Sequence, residues 1–150
     1  MFNLVDFVRE SNRIEGISAG TVTEVEAHER FLANKHMSVP DLIQLVSVLE
    51  PTAQMRNAIG QDVQVGWHIP PRGGPRVHMD LATLLGDIQM EGGLDPYLSH
   101  VRYETLHPFT DGNGRSGRAL WLWHMGGIEK APLGFLHTFY YQTLAYAQLG

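Results

Sequence analysis

What most constrains this chain is a helical apolar period that returns in short segments, each bounded by a cap, a proline or a glycine. Phe2, Leu4, Val5, Phe7, Val8 and Ile14 follow mostly helical spacing, and Gly16 is placed to stop the run. Thr21 with Glu24 makes a capping-box pattern and predicts a helix to about residue 37, with Val22, Val25, Phe31 and Leu32 inward. Ser38 and Pro40 open another, whose apolar face is Leu42, Ile43, Leu45, Val46 and Leu49. Leu81, Ala82, Leu84, Leu85 and Ile88 predict a helix over about residues 79–90. Asp95-Pro96 opens one that carries Tyr97, Leu98, Val101 and Leu106. A further helix carries Leu120, Leu122, Trp123 and Met125, and residues 139–149 read as helical again. Amphipathic segments this short are stable only when their apolar faces meet. With 150 residues and 43% hydrophobic side chains, the expected fold is mainly α, a single domain over residues 1–150.

Residues 60–77 break the pattern. Val63, Val65 and Trp67 alternate with Asp62, Gln64 and His68, which is strand period. Pro70-Pro71 and Gly73-Gly74-Pro75 interrupt the chain, and Val77 is expected to return as a second short strand. The expectation is one small β-hairpin, which as two strands alone is marginal and must lean on or serve something else.

Composition excludes several chemistries. Without cysteine there is no disulfide, thiolate metal site or cysteine nucleophile. A formal charge of −5 disfavours a long nucleic-acid partner, which asks for basic excess. No apolar run is long enough for a transmembrane helix, and the N-terminus lacks the basic region of a signal peptide. The expected setting is cytoplasmic, with no membrane partner. Of the eight histidines, none shows HExxH or a similar metal-ligand spacing. Met37, Met55, Met79, Met90 and Met125 are expected to fill the core.

Chemistry concentrates in His107-Pro108-Phe109-Thr110-Asp111-Gly112-Asn113-Gly114-Arg115-Ser116-Gly117-Arg118. A helix ends near His107 and another begins near Asn113, across a glycine-rich turn. Backbone N–H groups exposed at the positive end of a helix form an anion site. Arg115 and Arg118, three residues apart, share a face near that end. Their planar forks suit phosphate oxygens, and cations there are misplaced unless an anion accompanies them. Asp111, at the mouth of the turn, is a candidate Mg²⁺ ligand beside phosphates. His107 is the nearby group that titrates near neutrality, placed to take a proton from a hydroxyl. The set suits transfer of a phosphorus-centred group. Gly112-x-Gly114-x-x-Gly117 matches the dinucleotide fingerprint, but no strand precedes it. Neither a P-loop nor a kinase-type lysine is present.

The segment HPFTDGNGRSGR resembles the signature of the Fic (Fido) family, HPFx(D/E)GNGRxxR, at every fixed position. Residues 97–104, the hairpin and Phe139-Tyr140-Tyr141 resemble the family's preceding helix, its flap and its C-terminal helix. The resemblance implies a helical Fic core that transfers AMP from ATP, with Mg²⁺, to a Ser, Thr or Tyr hydroxyl of a target protein. His107 would be the general base, and Asp111 the metal ligand. Gly112, Asn113 and Gly114 would line the anion hole, Arg115 and Arg118 would hold phosphates, and Phe109 would anchor the loop. Flap residues Val65, Gly66, Trp67, His68 and Ile69 would pair with the target backbone. Related Doc kinases carry lysine where Gly114 stands, so its absence favours AMP transfer.

Ser11-Asn12-Arg13-Ile14-Glu15-Gly16 resembles the family's inhibitory motif, (S/T)xxxE(G/N). In the last turn of its helix, Glu15 is unfavourably placed and asks for a cation. The resemblance makes residues 1–17 an inhibitory helix in which Glu15, four residues after Ser11, pairs with Arg118 and obstructs the γ-phosphate. The expectation is a bare Fic core plus this helix. The sequence leaves open a homodimer, self-modification, another nucleotide donor, removal of AMP, and a non-catalytic nucleotide-binding module latched by Glu15.

Overall fold

The structure, a computed structural model, describes residues 2–18 and 21–131, and these residues are mainly helical. The first helix, α1 (Leu4–Ile14), begins at a reciprocal box in which Asn3 and Asp6 cap each other's N–H. Its end is a Schellman turn: the Gly16 N–H donates to Arg13 and the Ile17 N–H to Asn12. Gly16 takes φ +77°, as its predicted place at the stop requires.

Helix α2 (Val22–Leu32) starts at Thr21, whose hydroxyl accepts the Glu24 N–H. The Glu24 carboxylate bonds the Asn12 amide, tying α2 to α1. The helix stops at Leu32 and does not reach residue 37. Asn34 turns its amide back onto the Phe31 carbonyl, and its own carbonyl accepts the Trp123 indole N–H. Val22, read as inward, is exposed in the first turn, while Ala27, His28 and Phe31 are buried.

Helix α3 (Val39–Leu49) is capped by Ser38 and Asp41. Leu42, Leu45, Val46 and Leu49 are buried as expected, whereas Ile43 lies outward.

The hairpin over residues 60–77 is not formed. An isolated antiparallel bridge, Val65 to His68, closes a two-residue turn through Gly66 and Trp67. Val77 is in α4 (Pro75–Gln89), fully buried with Leu81, Leu84, Leu85 and Ile88. Two causes act together. Pro70 and Pro71 offer no N–H to a returning strand. Pro75 is pre-set for a first helical turn, so α4 starts before Val77.

Helices α5 (Pro96–Leu106) and α6 (Asn113–Met125) pack on each other more extensively than any other pair among the described residues. Asp95 caps α5 through the Tyr97 and Leu98 N–H groups. Gly117 lets the two helices meet, because a Cβ there would lie 2.8 Å from Glu104 Oε1 and 2.9 Å from Tyr103 Cδ1. One apolar cluster joins α2, α3, α4, α5 and α6. A second joins Phe7 and Val8 of α1 to Trp121 and Leu122 on α6. Met37 and Met55 fill the core as expected, but Met79 and Met90 are exposed. The 139–149 segment, with Phe139, Tyr140 and Tyr141, lies outside the described residues. Among the described residues no helix is long and apolar enough to cross a membrane.

Gly117→Ala is expected to force α5 and α6 apart and cost about 1–3 kcal/mol, read as a lower urea midpoint.

Candidate active site

The site is the turn between α5 and α6, and its shape is set by side chains that never face solvent. The Asn113 amide donates to the Phe109 carbonyl (2.8 Å), and its oxygen accepts the Phe109 N–H (2.9 Å). Asn113 therefore closes the loop with its side chain and offers an incoming anion only its backbone. Phe109 is buried in the core, as predicted. Its strand-like backbone bridges Met55, with the Thr110 N–H on the Gln54 carbonyl. Gly112 takes φ +79° to turn into α6, which no side chain caps. The first-turn N–H groups of that helix are thus without intrahelical acceptors, the anion site inferred from sequence.

A cleft of about 360 Å³ opens on this turn. His107, Asp111, Gly112, Asn113, Gly114, Arg115, Glu15 and Val65 all line it, together with Ile17, Glu50 and Thr110. Of the five expected docking residues, only Val65 reaches the cleft. Trp67 and Ile69 are exposed, and the His68 ring bonds the Thr105 carbonyl on α5.

His107 sits just past α5 in the left-handed region, φ 50° and ψ 64°, the sole non-glycine with positive φ among the described residues. Burial, then the Arg56 charge, push its imidazole down to about 4. It is therefore neutral at physiological pH, the form a base requires. Asp111 is exposed and its carboxylate accepts the Gly112 N–H at 2.7 Å. Among the described residues no three acidic or histidine side chains form a metal cage. A single exposed carboxylate fits Mg²⁺ that is held mainly by substrate phosphates and water.

Both arginines are buried, and the protein itself supplies the anions their position demands. Arg118 donates Nε to Ser11 Oγ (2.9 Å) and Nη2 to the Ser11 carbonyl and Glu15 Oε1 (2.8 Å). Arg115 donates to Glu50 Oε1 (2.7 Å) and more distantly to Asn12. The Glu15 carboxylate lies over Gly114 so closely that a Cβ there would overlap it. The stem of Glu50 lies similarly over Gly112, at contact distance.

Sequence reasoning missed three residues. Glu50 follows the last apolar residue of α3 and carries no motif. Glu104 lies mostly buried behind Arg118, and burial pushes its carboxyl up to about 7, with Arg118 opposing and Glu15 adding to the shift. Arg56 is wholly buried, and among the described residues its side chain bonds only main-chain carbonyls. Nothing in a lone arginine between Met55 and Asn57 signals this.

A family model described as Fic/DOC family matches residues 94–125, the stretch that contains α5, the turn and α6. The match supports Fic/DOC membership on a stretch that contributes His107, Thr110, Asp111 and residues 112–115 to the cleft. No curated protein matches the chain.

Ser11→Ala leaves the buried Arg118 Nε without its acceptor. It is expected to weaken α1 docking by about 1–3 kcal/mol, read as faster amide exchange in α1 with α5 and α6 unchanged.

Proposed function

We propose that the chain is a protein adenylyltransferase, moving AMP from ATP to a Ser, Thr or Tyr hydroxyl of a target protein and restrained by Glu15. The observation that carries this reading is one cleft containing a neutral imidazole, an uncapped helix N-terminus and a guanidinium. His107 would take the hydroxyl proton. The hydroxyl oxygen would bond to the α-phosphorus as the bond to the bridging oxygen breaks, releasing pyrophosphate. The α6 N–H groups and Arg115 would receive charge that develops on phosphate oxygens. Mg²⁺, held by Asp111 and phosphates, would neutralise the leaving group's charge. The match to the Fic/DOC family over the same residues supports this assignment.

The restraint follows from what occupies Arg118. While Glu15 holds that guanidinium over Gly114, a terminal phosphate must displace a carboxylate to reach it. The latched arginines also favour a second reading, a non-catalytic nucleotide-binding module held shut by Glu15.

Glu15→Gly is expected to raise labelling of lysate proteins by labelled ATP at least tenfold, on the order of one lost ion pair, and His107→Ala to abolish it. Mass spectrometry reads donor, target and self-modification together. Equal labelling by wild type and Glu15→Gly would remove the restraint, and none in either would favour the non-catalytic module.

The imidazole also sets a pH limb. A base held at about 4 is neutral and active above that pH, and loses activity as pH falls through it. The kcat/KM of Glu15→Gly is therefore expected to have its acid limb near pH 4, well below the ordinary histidine value of 6.5.

A further inference from the structure

We propose that Arg56 is the positioning residue of the base: it clamps the His107 main chain and cancels the negative end of α5 beside the imidazole. The proposal rests on the reading of His107 as a base. Arg56 is 0% exposed, yet among the described residues its side chain meets no carboxylate within hydrogen-bond distance. Nε donates to the His107 carbonyl (2.6 Å) and Nη2 to the Leu106 carbonyl (2.8 Å). Its own N–H donates to the Pro108 carbonyl at 2.9 Å. Three consecutive carbonyls around the base are thus held by one residue.

Two physical consequences follow. A left-handed conformation is costly for a residue with a Cβ and persists only where its surroundings over-determine it. Arg56 supplies that constraint on both sides of the His107 peptide units. A helix C-terminus also carries partial negative charge on its last carbonyls, which favours a protonated imidazole next to it. Arg56 places a full positive charge on those carbonyls and reverses the preference. The other titratable groups that act on His107 are His68 from the 65–68 turn and Glu15 just past α1, and the Glu104 main chain on α5 favours the protonated ring through a hydrogen bond. Asp62 favours the charged form of Arg56 against the burial that disfavours it.

The same guanidinium reaches outward. Nη1 donates to the Gln61 carbonyl (3.1 Å) and the Pro71 carbonyl (2.8 Å). Both ends of the loop that brings Val65 to the cleft are thereby fastened to the peptide that carries the base. One buried side chain fixes two walls of the site relative to each other.

The test uses the full chain with Arg56→Gln and Arg56→Lys. The His107 ring titration is followed by NMR, assigned by its loss in His107→Ala. Arg56→Gln is expected to move the His107 midpoint upward from about 4 toward 6.5, and Arg56→Lys, which keeps the charge, to move it less. In the Glu15→Gly background both variants are expected to lower kcat by roughly ten- to a hundredfold with the KM for ATP held within about twofold. A folded Arg56→Gln with an unmoved midpoint overturns the proposal. Should Arg56→Gln fail to fold, Arg56→Lys decides: lowered kcat at constant KM supports it, and wild-type kcat overturns it. A shifted midpoint with no AMP transfer in any variant supports the role of Arg56 while removing the adenylyltransferase reading.

Discussion

Burying guanidinium groups beside the positive end of a helix demands acceptors, and much of this fold is arranged to supply them. Arg115 and Arg118 emerge from the first turns of α6, where the backbone already repels cations. Leaving such a charge buried without its partner costs about 3–5 kcal/mol. Glu50 at the end of α3 satisfies one, and Ser11 and Glu15 at the end of α1 satisfy the other. The relative placement of α1, α3 and α6 is therefore a charge-matching problem as much as an apolar one. Arg56 presents the same demand and meets it with carbonyls, so its charge remains to act on the site.

The two carboxylates differ in how they are held. Glu50 belongs to a helix whose apolar face is built into the main core. Glu15 is the C-cap of a helix that docks on α6 through a small cluster, Phe7 and Val8 against Trp121 and Leu122. Both nonetheless line the cleft, with side chains exposed to similar extents. A change at Glu15 can therefore release Arg118 while α1 keeps its apolar contacts. Gly114 serves the same economy of space, being the position that admits an anion of either origin against the helix end.

Where sequence and structure part, the cause is tertiary. The strand period of Val63, Val65 and Trp67 is real, but a strand needs a partner with free N–H groups, and the prolines that follow provide none. Val22 and Ile43 carry apolar side chains on faces that no other helix among the described residues covers. Glu24 has the spacing of a capping box, yet a buried Asn12 amide offers its carboxylate a stronger claim than the helix N-terminus does.

The sequence by itself determined the helical segments, most of their caps and stops, and the turn that carries the chemistry, because these depend on neighbours within a few residues. Gly16, Ser38, Asp95 and Gly112 act locally and are read locally. Glu15 on Arg118 was expected from the motif around Ser11, but only the tertiary structure decided that Glu50 fills the Arg115 site, how the His107 imidazole is kept neutral, and that Arg56 joins two walls of the cleft. Those interactions link residues about fifteen to more than a hundred positions apart. Their strength comes from burial, which exists only after the chain has folded and the low-dielectric surroundings make each charge require a specific partner.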